Sequence, residues 1–186
     1  MSVFFILLLI VIAIFYFIYA SLICKKNKVK EASSGIDVQL KKRYDTIPNL
    51  LQSAAKFMEH EKNLMEEITQ LRTEAMQGSF IDDPKKSIEI ENKLSARLRD
   101  FNVSVENYPD LKSNQTMLQA MNAMQDVEES IAAARRFYNA AVNDLNNAVE
   151  IFPSSLVAQW LHIKQAVFFE APEIEKKPIK AGDFLK

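Results

Sequence analysis

The longest regular pattern of apolar positions in the chain covers residues 36–75. Apolar side chains recur there at alternating steps of three and four, the heptad spacing of a coiled-coil helix that packs lengthwise against others. Pro48 lies inside the pattern and removes a backbone donor, so it either kinks this helix or starts a new one. Because the register continues across Pro48, we predict a kink. The seam consists of Ile36, Leu40, Arg43, Ile47, Leu50, Ala54, Phe57, Glu61, Leu64, Ile68, Leu71 and Ala75.

Two further helices with the same spacing follow. Asp83 and Pro84 supply an N-cap and a favourable first helical position for the second helix, which ends near Pro109. The third begins after Ser113, a plausible cap, and ends at Pro153. The second seam is Ile88, Glu91, Leu94, Leu98, Phe101 and Val105. The third is Met117, Met121, Met124, Glu128, Ile131, Arg135, Tyr138, Val142, Leu145, Val149 and Phe152.

A short final helix, LVAQWLHIKQAVFF, is predicted after Ser154 and Ser155. Its apolar residues are expected to close one end of the bundle, namely Leu156, Val157, Trp160, Leu161 and Ile163. The tail, residues 170–186, lacks a helical pattern and is predicted to be extended or disordered. At about 1.5 Å per residue the first and third helices would each measure about 55–60 Å, so the body is predicted to be an elongated all-α rod.

The N-terminus has a different pattern, because residues 3–23 are almost entirely apolar and carry no charge. About 20 such residues are enough to span a bilayer as a helix. A cleavable signal peptide would need a basic beginning, a shorter apolar core and small residues at a cleavage site, and the sequence has none of these. Residues before Cys24, the only cysteine, also lack the small side chains of a lipoprotein site. We therefore predict an uncleaved transmembrane anchor over residues 1–24.

A basic juxtamembrane segment, residues 25–35, follows the anchor and contains Lys25, Lys26, Lys28 and Lys30. By the positive-inside rule these lysines predict a single-pass protein of the inner membrane, with its N-terminus outside and its body in the cytoplasm. They are best interpreted as a stop-transfer flank that meets anionic headgroups; specific lipid recognition is the alternative. The Ser33-Ser34-Gly35 run weakens helix propensity and is predicted to form a swivel between membrane and body.

Charge and composition exclude several functional classes. The net charge is −1, and the segment from residue 25 to 43 carries +5, so the remainder carries −6. This weakly acidic body is not typical of a nucleic-acid binder. Three glycines cannot supply either common phosphate-binding loop.

Metal and nucleophilic catalysis are also unsupported. His60 and His162 are the only histidines, and neither has a glutamate three residues before it, as a di-iron bundle requires. Leu64 stands where a zinc protease motif starting at His60 would need its second histidine. The methionines at 117, 121 and 124 are more typical of core filling than of a soft metal site. We predict no enzymatic activity and no cofactor or metal.

Charged residues interrupt the three apolar seams at Arg43, Glu61, Glu91, Glu128 and Arg135. A buried charge must be paired, because an uncompensated one costs about 3–5 kcal/mol. These residues therefore either fix the alignment of the helices or form a polar site in the bundle or at an interface between subunits. We favour the first interpretation.

Several blocks of the sequence resemble the LemA family of bacterial membrane-anchored helical proteins. They are IDVQLKKRYDTIPNLLQ, MEHEKNL, YPDLKSNQ, AARRFYNAAVNDLNNAV and FPSSLVA, and they occur in family order over residues 36–169. The resemblance implies an antiparallel bundle of the four-helix type on a membrane helix, without an established enzymatic activity. Some family members are associated with membrane-compartment formation or with envelope proteases.

These observations together predict a non-enzymatic scaffold or adaptor that is anchored in the lipid bilayer and organises membrane or membrane proteins by helical packing and self-assembly. A second apolar edge, formed by Leu51, Met58 and Met65, would either mediate homo-oligomer assembly or complete a four-helix core. The alternative is an accessory subunit of an envelope protease or another membrane complex, or an unrecognised enzyme with a polar site in the bundle core.

Overall fold

The computed structural model describes residues 2–170, which contain helices and no strand. The predicted tail therefore lies outside the described residues except for Glu170. The elements are α1 (Ser2–Ala54), a 3₁₀ turn (Glu59–Glu61), α2 (Lys62–Ala75), α3 (Pro84–Val105), α4 (Pro109–Lys112), α5 (Gln115–Glu150) and α6 (Ser154–Trp160).

Helix α1 joins the predicted anchor to the body without interruption over 53 residues. The predicted swivel is wrong, because the helix continues through Ser33 and Gly35. The Ser33 hydroxyl donates to the Val29 carbonyl, one turn earlier, at 2.9 Å. Ala32 and Ile36 on either side are buried in the core, so packing offsets the weak helix propensity of the run. The helix also continues past Pro48, as the register predicted.

A break at residues 55–58 separates α1 from α2, so the prediction of one helix up to Ala75 is wrong. Met58 is completely buried at this turn. The chain then returns along α1, because the Arg72 Nε donates to the Tyr44 carbonyl at 2.6 Å. At this turn Met58 enters the core in place of the predicted seam residue Phe57, which is 37% exposed, and both helices bury one face in the same core.

The beginnings of α3 and α5 follow from local capping. Asp83 caps α3 as predicted, and its carboxylate accepts the Lys86 backbone N–H at 3.1 Å. Helix α5 is capped by Asn114 rather than by Ser113: the Asn114 side-chain oxygen accepts the backbone N–H of Thr116 and Met117 at 2.9 and 3.2 Å. The Ser113 hydroxyl instead donates to the Asp110 carbonyl in α4.

Helix α6 has only seven residues, so the predicted final helix is too long. His162 follows it with a φ of 53°, which ends the helical geometry. Leu156 and Trp160 do not close the bundle, because they are 58% and 68% exposed. Residues 163–170 have no regular secondary structure, and α5 side chains bind much of their backbone.

The helices pack in two main pairs, α1 with α5 and α2 with α3, and α6 contacts both α1 and α5. Lys28 forms an ion pair with Asp144 at 3.7 Å, and Arg43 forms one with Glu128, so later residues of α1 meet earlier residues of α5. One main core runs along the body. By contrast, residues 3–17 of α1 are exposed along their whole length. Within residues 2–170, α1 is the one helix long and apolar enough to cross a membrane.

Candidate functional site

Three of the predicted seam charges meet in the centre of the body. The Arg43 side chain, on α1, is completely buried. Its Nη1 donates to the Glu91 carboxylate on α3 at 2.6 Å, and its Nε donates to the Glu128 carboxylate on α5 at 2.8 Å. A second bond joins Arg43 Nη2 to Glu128, and Ser95 Oγ accepts from Nη1 at 3.2 Å. This ion cluster, Arg43 with Glu91 and Glu128, ties together α1, α3 and α5.

The two carboxylates of the ion cluster lie in different environments. Glu91 is 1% exposed, and its second oxygen accepts a hydrogen bond from the Tyr44 hydroxyl. The Glu128 side chain is 41% exposed, so one side of the cluster is in contact with water. The fork of the guanidinium matches two oxygens of Glu128, the geometry that gives arginine–carboxylate pairs their strength and orientation.

Electrostatics hold the cluster in one protonation state. Burial alone would lower the pKa of the Arg43 guanidinium, but the charges of Glu128 and Glu91, with their hydrogen bonds, raise it above its ordinary value. Burial is the largest cause that raises the pKa of the Tyr44 phenol, and the Glu91 charge adds to it. At neutral pH Arg43 is therefore charged and Tyr44 is a neutral donor.

The Arg43 guanidinium links side chains on three helices of the body. The buried guanidinium is bonded to side chains of this chain through each of its three nitrogens. Within the described part of the chain, no group of three His, Cys, Asp or Glu residues is placed to hold a metal ion. A cleft of about 780 Å³ adjoins Tyr44 and Glu91 on the side of the α2–α3 loop.

The other two seam charges are not part of the ion cluster. Glu61 is half-buried in the 3₁₀ turn, because the turn at 55–58 removes it from the seam of α1. Arg135, on α5, places its guanidinium 4.2 Å from the centre of the Phe169 ring, a cation–π contact.

The predicted surface residues fall on two regions, the part of α1 after the apolar segment and the junction of α1 with α2. Lys25, Lys26, Lys28 and Lys30 directly follow the apolar segment, and Lys28 carries the ion pair with Asp144. Leu51, Met58 and Met65 lie together along a groove of about 740 Å³ between α1 and α2, which we call the α1–α2 groove. Met58 is buried at its base, whereas Leu51 and Met65 are half-buried.

Sequence reasoning missed the asparagines of α5 that bind residues 164–170, the C-terminal segment. Asn139 exchanges two hydrogen bonds with the Phe169 backbone, and Asn146 exchanges two with the Ala166 backbone, at 2.8 and 3.0 Å in each case. Seven helical residues span about 10.5 Å and three extended residues span about 10 Å, so the two spacings match. The signal in the sequence was a pair of asparagines seven residues apart within a helix that asparagine does not favour.

The C-terminal segment also covers an aromatic contact. Phe169 stacks on Phe80 at 5.3 Å, and Phe80 meets Tyr138 edge-on at 5.0 Å between ring centres. Asp37 on α1 holds the loop that carries Phe80, by accepting the Ser79 hydroxyl at 2.7 Å and the Phe80 backbone N–H at 2.8 Å. These contacts join α1, the α2–α3 loop, α5 and the C-terminal segment.

Similarity to known proteins identifies the family of the chain. The model of the LemA family matches residues 32–181, which includes the ion cluster, the α1–α2 groove and the asparagines of α5. Protein LemA of Metamycoplasma hominis is 31% identical, over 97% of this chain and 84% of that protein. The matched family model covers most of the sequence, and the chain therefore belongs to the LemA family.

Proposed function

We propose that this protein is a non-enzymatic scaffold or adaptor, held in the inner membrane by the first part of α1 and presenting its helical body to the cytoplasm. The continuity of α1 is the observation that carries this proposal. A body joined to its anchor by one rigid helix is held at a defined distance and orientation, which suits the positioning of partners. The lysines at 25, 26, 28 and 30 support the cytoplasmic placement.

The body is best described as an antiparallel four-helix bundle of α2, α3, α5 and the part of α1 beyond Lys25. The Arg72–Tyr44 bond supports an antiparallel α1–α2 pair, and the Lys28–Asp144 and Arg43–Glu128 contacts support an antiparallel α1–α5 pair. The Arg97–Glu67 ion pair, at 2.9 Å, links α3 to α2. The ion cluster then fixes the register of three of the four helices.

Self-assembly through the α1–α2 groove is the mechanism of organisation that we propose. Leu51, Ala55 and Met65 supply apolar walls, and the groove extends along α2 from Lys62 to Thr73. That length corresponds to about 17 Å of helix, so a helical segment of a second copy is a suitable occupant. The methionines adapt to such a surface because their side chains are flexible.

The mass of the full-length protein in a mild detergent, measured by light scattering coupled to gel filtration, tests this proposal. We expect a discrete oligomer that Met65→Glu dissociates, because the charge would enter the apolar groove. The matched control is Val103→Glu, at an exposed apolar position on α3, which should leave the oligomer intact. A monomeric wild-type protein, or equal dissociation by both variants, would exclude self-assembly through the groove.

The alternative function is an accessory subunit of a membrane complex, or an enzyme with a polar site. The cleft beside Tyr44 and Glu91 favours this alternative, because it brings a polar lining close to the ion cluster. A charge reversal at the rim of that cleft, Lys86→Glu, would then abolish binding to the membrane complex or the enzymatic activity. The mass of the oligomer would stay unchanged. Under the scaffold proposal the same variant remains functional.

A further inference from the structure

The end of the body next to the anchor carries a second apolar surface that the scaffold proposal does not use. We call residues 151–163, which include α6, the α6 corner. Phe152, Leu156 and Trp160 recur there at steps of four and are 74%, 58% and 68% exposed. On the opposite side of α6, Val157 and Ala158 are buried. The corner therefore carries large apolar side chains on its exposed side as well as toward the protein, beside exposed Gln159 and His162, and such a cluster is not expected of a helix that faces only water.

The α6 corner lies beside the anchor part of α1. The Trp160 ring meets the Phe15 ring edge-on, with 6.0 Å between their centres. Leu22 of α1 is buried in a cluster with Val157 and Ala158. The exposed apolar face of the corner is thus continuous with the exposed apolar surface of residues 3–17.

The distribution of charge agrees with this placement. Residues 151–163 contain no Asp, Glu, Lys or Arg, and Glu150 and Lys164 stand immediately outside them. Residues 2–24 of α1 are also free of these four residue types. These two segments without Asp, Glu, Lys or Arg lie side by side, and the first ion pair between α1 and α5, Lys28–Asp144, lies beyond both.

The depth of the contact follows from the geometry of α1. Phe15 precedes Lys25 by ten residues, or about 15 Å along a helix. A hydrocarbon core is about 30 Å thick, so a span that ends at Lys25 would place the Phe15 ring near its middle. Trp160 would then lie well within the leaflet nearest the body.

Several backbone groups of the α6 corner bond within the chain, as a membrane environment favours. The Ser154 hydroxyl and the Ser155 N–H both bond to the Ile151 carbonyl, at 2.8 and 2.9 Å. After α6, the His162 N–H bonds to the Gln159 carbonyl at 3.1 Å and the Ile163 N–H to the Ala158 carbonyl at 2.9 Å. Pro153 has no N–H to satisfy. The turns on both sides of α6 therefore place polar backbone groups against partners of their own chain.

We propose that the α6 corner is a second membrane-contact site, embedded in the leaflet next to the body, where lipid acyl chains cover Phe152, Leu156 and Trp160. This inference rests on the proposed anchoring by α1. The protein then contacts the bilayer with one spanning helix and one wedge that enters a single leaflet.

The only tryptophan of the chain, Trp160, is a direct probe of this site. The full-length protein is reconstituted into phosphatidylcholine vesicles, with or without bromine near the middle of the acyl chains, and its fluorescence is measured. We expect Trp160 to lose most of its emission in the brominated vesicles and to resist quenching by iodide in the water. Two control proteins carry Trp160→Phe together with a new tryptophan. The new tryptophan is either Ile10→Trp in the anchor or Phe137→Trp at an exposed position of α5.

The controls separate failure of this inference from failure of the anchoring. If the Ile10→Trp protein is quenched by brominated lipid and Trp160 responds only to iodide, the anchor holds and the embedded corner is excluded. If the Ile10→Trp protein is itself unquenched by brominated lipid, the anchoring fails and the inference fails with it. Protection of Trp160 from both quenchers would also overturn the inference, because a protein surface such as a second copy would then cover the corner. The Phe137→Trp protein should respond to iodide alone.

Discussion

Replacement of Arg43 tests the ion cluster most directly. Arg43→Met keeps the length of an unbranched side chain and removes the guanidinium that bonds to Glu91, Glu128 and Ser95. Glu128 is partly exposed, so its carboxylate can recover hydrogen bonds from water. Glu91 cannot, because it is 1% exposed. The variant therefore leaves a carboxylate in the core without its positive partner.

The expected cost follows from that difference in burial. Loss of one partner from a buried ion pair destabilises a protein by about 3–5 kcal/mol, whereas loss of a hydrogen bond to a charged group costs about 1.5–3 kcal/mol. We expect Arg43→Met to lie in the first range and Glu128→Gln in the second, because Glu128→Gln preserves the Arg43–Glu91 pair. A loss of about 3–5 kcal/mol is a large part of the 5–15 kcal/mol that stabilises a typical domain.

Denaturant unfolding of the full-length protein in detergent, followed by circular dichroism, measures these free energies. The double variant Arg43→Met with Glu91→Met is the critical comparison. Apolar replacement of both members of a buried pair is often neutral, so the double variant should be more stable than Arg43→Met alone. If Arg43→Met costs less than about 1 kcal/mol, or if the double variant is the less stable of the two, the argument from buried charge is refuted.

Three further predictions concern other contacts of the body. Asn146→Ala removes two hydrogen bonds to the C-terminal segment, so it should lower the free energy of unfolding by about 1–3 kcal/mol and speed amide exchange in that segment. The control Asn143→Ala, at an exposed position, should change neither measurement. The raised pKa of the Tyr44 phenol means that its contribution to stability is complete below about pH 10 and is lost as the pH rises from there through the folded pKa. Melting temperatures from about pH 8 to 11 should therefore fall less steeply for Tyr44→Phe than for the wild type; parallel curves would contradict this. Asp37→Ala releases the loop before α3, so limited proteolysis should cut that loop faster than in Asp82→Ala, and equal rates would argue against the anchoring role.

Local signals were sufficient to predict much of the fold. The apolar spacing and the Asp83-Pro84 start predicted α3, because both depend on residues within one or two turns. Helix α5 was predicted over nearly its whole length for the same reason, although its N-cap is Asn114 instead of the predicted Ser113. The uncharged first part of α1 was recognised from composition alone.

The errors arose where distant contacts decide the structure. The apolar spacing in the sequence continues through residues 55–58, so periodicity cannot distinguish two helices that fold back on each other from one long helix. Residues 161–169 have an apolar pattern suited to a helix, but hydrogen bonds from Asn139 and Asn146 hold much of this stretch in another conformation. Those partners lie 20 and 30 residues away and leave no local signal in the segment they bind.

The same distinction explains which site residues were found. A charge in an apolar seam needs a partner, and that requirement selected Arg43, Glu91 and Glu128, which the structure brings together, with Arg43 and Glu91 buried and Glu128 partly exposed. Glu61 was selected on the assumption that α1 continued through it. Arg135 was selected for burial, and its contact with the ring of Phe169 could not be predicted while that segment was assigned to a helix.

With the anchoring proposed above, the unbroken helix α1 would also make the body a lever on the bilayer. Helices adjust to membrane thickness by tilting, and a hinge at Ser33-Gly35 would have absorbed that motion. From Lys25 to Ala54 the helix extends about 45 Å, so a change in tilt of about 10° displaces its far end by about 8 Å. Under the proposed anchoring, the position of the α1–α2 groove relative to the membrane surface would therefore change with the local thickness of the bilayer, and greater tilt in a thinner bilayer would bring the groove closer to that surface.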